Sequence, residues 1–381
     1  MTSIACPVKP LEASLPQHHH ESLLSKLNSF LNRDYISDWA YYGFWFAFWL
    51  IVPYAVLLGI MVMVMYDAVT VKGNRKPVGP VLITGCDSGF GKGLAIALSE
   101  LGWKVYATCM TDAGVAFFAT NVNVTGLRMD VTKEDEVKDL MFIIDATHPT
   151  EGLYALVNNA GVDKFGTTDW CDVDHFKWHM EVNFFGQVRM VKQALPLLKR
   201  AARANVYHSS RILNITSFSG LLPGLFMKSA YGASKHAAES WSNSLRLELR
   251  HFGIQVGQIN PVWHRTDIAH SQEQHLVKTY ESLPPELQAD YGKEYFLKLA
   301  DVAYRGRQSH TWEPENVVKA LVNAVTAERH RCQRLVGMDA IFYMTPIMML
   351  PRRFINMLYD RWGLAAAVPV GALSNTVRTQ V

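Results

Sequence analysis

The chain lacks the cysteine pattern of a zinc site or a disulfide framework. Its five cysteines, Cys6, Cys86, Cys109, Cys171 and Cys332, are odd in number and form no CxxC pair. A reducing compartment for most of the chain follows. Charge of one sign is equally scarce: a formal net charge of +3 over 381 residues, with Lys and Arg scattered, leaves out the basic face of a nucleic-acid binder. No internal repeat or low-complexity tract occurs. His18 to His20 are read as a solvated polar loop in preference to a loose metal site, and no metal is expected elsewhere.

From Ala40 to Tyr66 charge is missing altogether, over a stretch longer than the ~20 residues a helix needs to cross a bilayer. Tyr41, Tyr42, Trp45 and Trp49 crowd its first part, as aromatic side chains do at a headgroup layer. A single-pass span is the expectation; a buried helix or a hairpin bent at Pro53 is the alternative. No small-residue cleavage site follows, which argues against a removable signal peptide. Lys72, Arg75 and Lys76 after the stretch, against Lys26 and Arg33 before it, tilt the reading toward a cytosolic C-terminal side.

Beyond Pro80, short apolar runs alternate with helix-length amphipathic stretches. "VLITG", "KVYATC", "GLRMDV", "LYALVNNAG", "RILNITS" and "IQVGQINP" read as strands, and their Val, Ile and Leu content without alternation is that of strands buried on both faces. "GKGLAIALSELG", "KEDEVKDLMFIIDAT", "HFKWHMEVNFFGQVRMVKQALPLLKRA" and "YGASKHAAESWSNSLRLELRHFG" read as the helices between them. The expected fold is α/β, a doubly wound, Rossmann-like parallel sheet. The expected organisation is a polar tail at 1–39, a transmembrane segment at 40–66, a catalytic domain at 79–335 and an apolar C-terminal segment at 336–381. Ala340 to Pro351 is uncharged but too short to span, so that segment is read as a membrane-surface helix or as ordinary packing.

Gly85, Gly89 and Gly91 form TGxxxGxG directly after a strand and before a helix, where backbone N–H groups and the helix dipole meet a diphosphate. Ser88 and Phe90 lie in the same turn. Asp87 sits inside it and Asp112 follows the second strand, with no basic residue in "TCMTDAG". A carboxylate accepts ribose hydroxyls and repels a 2′-phosphate, so NAD is favoured over NADP, although Lys92 lies a few residues on.

"SAYGASKHAAESW" places Tyr231 and Lys235 four residues apart on one helical face. A phenol with an ordinary pKa near ~10 becomes a usable proton acceptor when an ammonium stabilises its ionised form. Ser217 ends the "RILNITS" strand, where its hydroxyl is placed to hold a reacting oxygen. "VNNAG" ends the preceding strand with Asn159, Ala160 and Gly161, and Asn183 occupies a helix interior, a poor place for Asn unless its amide has a task.

These motifs in this order resemble the short-chain dehydrogenase/reductase family over about residues 79 to 335. "TGCDSGFG" is similar to the branch of retinol, 17β- and 11β-hydroxysteroid and 3-hydroxybutyrate dehydrogenases. The resemblance implies Tyr231 as acid/base, Lys235 on the nicotinamide ribose, Ser217 orienting the substrate oxygen and Asn183 holding a relay water. It further implies the glycines on the diphosphate, Asp130 and Val131 at the adenine, Asn159 at the ribose side, and Thr266, after Pro261, at the carboxamide. The chain departs from the family in "NPVWHRT", where Val262 stands in a glycine position, and in a slightly long Ser217–Tyr231 spacing that leaves Ser219 as a substitute. The expected activity is an NAD-dependent, membrane-anchored alcohol–carbonyl interconversion on a lipophilic substrate, a retinoid or steroid. The alternatives are an (R)-3-hydroxybutyrate dehydrogenase, with His264 and Arg265 as candidate cations, and a catalytically silent NADH-binding protein. The expected partners are a lipid bilayer, the endoplasmic reticulum favoured over the mitochondrion, and a second copy in a homodimer; no nucleic acid is expected.

Overall fold

The computed structural model describes residues 76–204, 209–265, 275–309, 312–328, 331–337, 345–348, 350–361 and 369–371, with helical positions between 47 and 62. The chain divides into two units, Met1–Met65 and Tyr66–Val381. In the first, the described residues are helical and carry exposed apolar side chains, among them Ile51, Tyr54, Leu58 and Val62. Most of Ala40 to Tyr66 lies outside the described residues, and among those described no helix is long and apolar enough to cross a membrane.

The second unit is an α/β layer structure. Its strands are β1 (Val81–Ile83), β2 (Val105–Cys109), β3 (Val124–Arg128), β4 (Ala155–Asn158), β5 (Ser210–Ile215), β6 (Ile254–Pro261) and β7 (Gln333–Val336). All pair in parallel in the order β3-β2-β1-β4-β5-β6-β7. The doubly wound sheet expected from the alternation is therefore present. The helices connecting and covering the strands are α1 (Gly89–Glu100), α2 (Asp112–Phe117), α3 (Glu134–Thr147), α4 (Val173–Met180), α5 (Gly186–Arg203) and α6 (Ser229–Leu249). After β6 come α7 (Pro285–Tyr291), α8 (Lys293–Ser309), α9 (Glu315–Thr326), α10 (Thr345–Met348) and α11 (Arg352–Arg361).

Strand β1 shows why its apolar run has no alternation. Val81 and Ile83 join a core with Leu94 and Leu98 of α1 and Val317 and Leu321 of α9. Leu82 points to the other face and meets Met190, Val191 and Leu198 of α5. All three strand residues are fully buried, and each such side chain contributes roughly 1.5–3 kcal/mol by leaving water.

Two elements escape the sequence reading. Helix α2 is a six-residue turn capped by the Thr111 hydroxyl accepting from the Gly114 N–H at 3.0 Å. Strand β7 pairs only with β6, and its exposed and half-buried residues carry little apolar signal. Strand β3 also begins earlier than "GLRMDV", at Val124.

Past β6, residues Leu276, Tyr280, Leu283, Tyr295, Phe296 and Leu299 build a satellite core that includes Trp170 from the loop after β4. Tyr280 stacks on Phe296 with ring centroids 4.2 Å apart. This insert is pinned at both ends: His264 bridges Trp312 in parallel, Trp312 N–H donates to Trp263 O and Arg265 N–H to Trp312 O, each at 3.0 Å. In α11, Ile355 is buried while Phe354 and Met357 face outward.

Candidate active site

Strand order reverses between β1 and β4, and in such sheets the carboxyl edge at the reversal opens a crevice. A cavity of about 760 Å³ lies there, lined from both halves of the sheet.

The glycine turn forms its floor. Gly85 takes φ +69°, and a Cβ there would lie 2.8 Å from the Ala160 Cα, so the turn requires a residue without a side chain on both counts. A Cβ on Gly91 would lie 2.5 Å from the Gly85 carbonyl oxygen and 2.4 Å from the Asn159 amide nitrogen. Gly91 thus lets α1 pack on the turn and does not itself line the cavity, whereas Gly85, Ser88, Gly89 and Phe90 do. Helix α1 opens into this space with Ser88 as N-cap residue, its hydroxyl making no cap bond, and with no acidic residue in the first turn. Its first N–H groups and the positive dipole end are placed for an anionic group.

The carboxylate of Asp87 is held by the residues after β2. It accepts from Met110 N–H at 2.7 Å, Thr111 N–H at 2.9 Å and the Thr111 hydroxyl at 2.7 Å. Asp112 faces solvent, pairs with Arg128 at 2.9 Å and does not line the cavity. Lys92 lies over the Phe117 ring, 3.5 Å from its centroid.

From the β4 end, Asn159, Ala160 and Gly161 line the cavity. The Asn159 side chain is a brace: its amide donates to the carbonyls of Thr84 and Gly85 at 2.8 and 2.9 Å. The Thr84 hydroxyl accepts from the Asn159 and Ala160 N–H groups in return. Asp130 and Val131 line the cavity after β3, with the Asp130 carboxylate fixed by the Thr132 N–H at 2.8 Å.

Asn183 lies in a π-turn, Glu181–Phe185, between α4 and α5. Its oxygen accepts from Val162 N–H at 2.8 Å, and its NH₂ donates to Val162 O at 2.9 Å and Ser234 Oγ at 3.0 Å. The amide therefore clamps the loop after β4 to α6, which answers why an Asn sits in a helix interior.

Ser217, Tyr231 and Lys235 converge on the cavity. Ser217 leaves β5 in extended backbone, accepts from Ser219 N–H at 3.1 Å and hydrogen-bonds the Tyr231 phenol. Ser219 lines the same wall. One helical turn on, the Lys235 ammonium lies 5.7 Å from the Tyr231 ring centroid and donates to the Ile215 carbonyl at 3.1 Å. Burial pushes the Tyr231 phenol up and the Asp163 charge adds to that, while the Ser217 hydrogen bond opposes both. Burial lowers Lys235 to about 8 against the charges of Asp163 and Glu239, which hold its ammonium. Glu239 is itself buried one turn further along α6 and bound by Asn260.

At the end of β6, Pro261 lines the cavity, and Thr266 lies outside the described residues. Val262, the departure from glycine, packs against the pair Phe218 and Leu222. His264 is buried edge-on to Phe90, ring centroids 5.6 Å apart. Arg265 is half exposed and pairs with Glu313. Asn214 of β5 is fully buried and bonded to Asn158 and Ser242.

Three groups went unseen in the sequence: Asp163, Lys228 and Glu239. Glu239 carried a signal, standing at i+8 from Tyr231 on the same helical face. Asp163 and Lys228 are far apart in sequence, and no spacing rule joins them.

A profile of the family described as short chain dehydrogenase matches residues 80–276. The chain belongs to the short-chain dehydrogenase family. Human "Retinol dehydrogenase 5" is 32% identical over 72% of this chain and 86% of that protein. "17-beta-hydroxysteroid dehydrogenase type 6" of Bos taurus is 29% identical over 74% of this chain and 87% of its own length. Those relatives place the chain in the retinol/hydroxysteroid branch of the family. A solved short-chain dehydrogenase from Burkholderia phymatum, in complex with NAD, shares the fold with a TM-score of 0.58 and 23% identity, covering 79% of this chain and 99% of that one. Membership makes this short-chain dehydrogenase an NAD(P)-dependent oxidoreductase of alcohol and carbonyl groups.

Proposed function

We propose that this protein is a membrane-anchored, NAD-dependent dehydrogenase that oxidises a hydroxyl on a lipophilic substrate of retinoid or steroid type. The observation that carries the reading is the convergence of Ser217, Tyr231 and Lys235 on one cavity that also contains the uncapped start of α1. The glycine turn and that helix start would hold the diphosphate of a nicotinamide dinucleotide, which when bound takes up the hydride from the substrate carbon. Tyr231 receives the hydroxyl proton as the C–H bond breaks and the carbonyl forms, and returns it in the reverse direction. Ser217 fixes the reacting oxygen beside the phenol, and the Lys235 ammonium stabilises the phenolate.

Asp87 supports NAD over NADP. The donors that a 2′-phosphate would need at the end of β2, two backbone N–H groups and the Thr111 hydroxyl, are already bonded to a carboxylate. A lipophilic substrate is supported by Trp178, Leu222, Leu225 and Trp263 in the cavity wall and by the names of the relatives. The charge-free run from Ala40 to Tyr66 and the outward apolar side chains of α11 support a membrane anchor and a surface contact, for which the endoplasmic reticulum is the preferred site. Of the two cations nominated for the hydroxybutyrate alternative, Arg265 is tied to Glu313 on the surface and His264 lines the cavity edge-on to Phe90; the apolar wall favours a lipophilic substrate.

Detergent-solubilised protein should reduce NAD in the presence of a retinol or a hydroxysteroid and turn over hydroxybutyrate far more slowly. Tyr231→Phe should lose ~10²–10⁴-fold in turnover with NADH affinity kept. Equal activity in that variant overturns the mechanism; NADH binding without turnover on a broad alcohol panel establishes the silent alternative.

A further inference from the structure

Lys228 and Asp163 form an ion pair inside the cavity wall, with side chains only 4% and 10% exposed. A buried pair of this kind carries a desolvation cost that its own attraction only partly offsets, so its presence beside a reaction centre asks for a use. The backbone that delivers it is strained. Met227 takes φ +61°, a left-handed conformation that a residue with a side chain rarely adopts. Its carbonyl accepts from Gly166 N–H at 3.1 Å, and Gly166 bridges Lys228 in parallel, fastening the loop after β4 to the start of α6.

The result is a phenol with two ammonium groups nearby. The Lys228 Nζ lies 4.9 Å from the Tyr231 ring centroid and the Lys235 Nζ 5.7 Å. Lys228 also lies over the Phe165 ring, 4.2 Å from its centroid. The other charged and titratable groups that face this ring are Asp163 itself and His179, whose ring is 6.4 Å away. His179 is locked neutral, Nδ1 bonded to His175 O and Nε2 accepting from Lys164 N–H. Behind Lys235 stands Glu239, and behind Asp163 stand His175 and Lys164.

We propose that Lys228 is a positioning residue whose ammonium offsets the charge of Asp163 at the Tyr231 ring and thereby sets the pH at which the phenol ionises. The inference deepens the reading of Tyr231 as proton acceptor and rests on it. Without Lys228, the Asp163 carboxylate would face the developing phenolate uncompensated at short range, where like charges disfavour ionisation. With it, part of the Asp163 charge is offset: the carboxylate still raises the phenol, and Lys228 limits by how much.

The test is a titration of tyrosinate absorbance in the NAD-complexed protein, with Tyr231→Phe as the blank, alongside the pH profile of kcat/KM. In Lys228→Met both should move to higher pH by about 1 unit or more, the size of a lost neighbouring charge. In Asp163→Asn both should move down, because a lone ammonium remains. The double variant Asp163→Asn/Lys228→Met leaves no single buried charge and should fall between the two single variants; it also guards against misfolding of either single variant. Coincident titrations in all four proteins, or single variants that move in the same direction, overturn the proposal. Since tyrosinate absorbance needs no turnover, opposite shifts in a protein that oxidises no alcohol would sink the activity reading and leave the charge pairing standing. Normal turnover with unmoved titrations would sink the pairing alone.

Discussion

Asp87, in the glycine turn, binds Thr111 twice, through the backbone N–H at 2.9 Å and through the hydroxyl at 2.7 Å. A carboxylate of the glycine turn thus holds the backbone at the end of β2.

Replacing that carboxylate should change cofactor choice. Asp87→Ala releases two backbone donors and a hydroxyl and removes a negative charge, so the ratio of kcat/KM for NADP over NAD should rise ~10-fold or more, equivalent to about 1.4 kcal/mol. Initial rates with each cofactor measure it. A ratio unchanged from wild type would assign Asp87 to loop stability alone.

Gly220 governs the Ser217 loop. A Cβ at that position would lie 2.8 Å from the Lys235 carbonyl oxygen, so the turn carrying Ser217 rests directly on the α6 backbone. Gly220→Val should lower kcat ~10²-fold, since an ångström of misplacement at reacting atoms has that effect, while the affinity for NADH changes little. Steady-state kinetics against fluorescence binding of NADH separates the two quantities.

Arg211 is fully buried on β5, and its guanidinium donates to the carbonyls of Ala324, Val325 and Ala327 at 2.7–2.9 Å. It closes the C-terminal end of α9, satisfying carbonyls and the negative dipole end together. Arg211→Met should destabilise the fold by about 3 kcal/mol or more, from carbonyls left without donors. Chemical denaturation of the solubilised protein reads this directly.

His179 makes stability depend on acid. Burial lowers its pKa from 6.5 to about 4. The unfolded chain therefore binds the proton more readily, and the stabilisation is present above pH 6.5 and lost as pH falls toward 4. The loss over that window is about 3 kcal/mol from this group. His179→Gln should flatten the melting temperature against pH between those limits, and a slope identical to wild type would contradict the assignment.

Much of this architecture was legible because its physics is local. A strand such as "VLI", buried on both sides of a sheet, must be apolar at every position, and Tyr231 with Lys235 must share a face once the segment is helical. Helix α2 went unread because six residues held by one threonine cap carry no periodicity. Strand β7 went unread because it is four residues long at the sheet edge and only Val336 is buried. At the site, the glycines and the Ser–Tyr–Lys set were visible in their motifs. The partners that set their charge were not: Asp163 and Lys228 meet only because β4 and α6 do. Asn159 and Asp87 were assigned to ribose contacts, yet their polar atoms brace the backbone around the cradle.

The bridge between His264 and Trp312 fastens the insert after β6 like a staple across the neck of a pouch. Because the two ends are tied to each other and to the sheet edge, the enclosed length can change with an entropic cost that grows only logarithmically. The insert can therefore lengthen or shorten without moving Pro261, Val262 and Trp263, which line the cavity ahead of the first anchor.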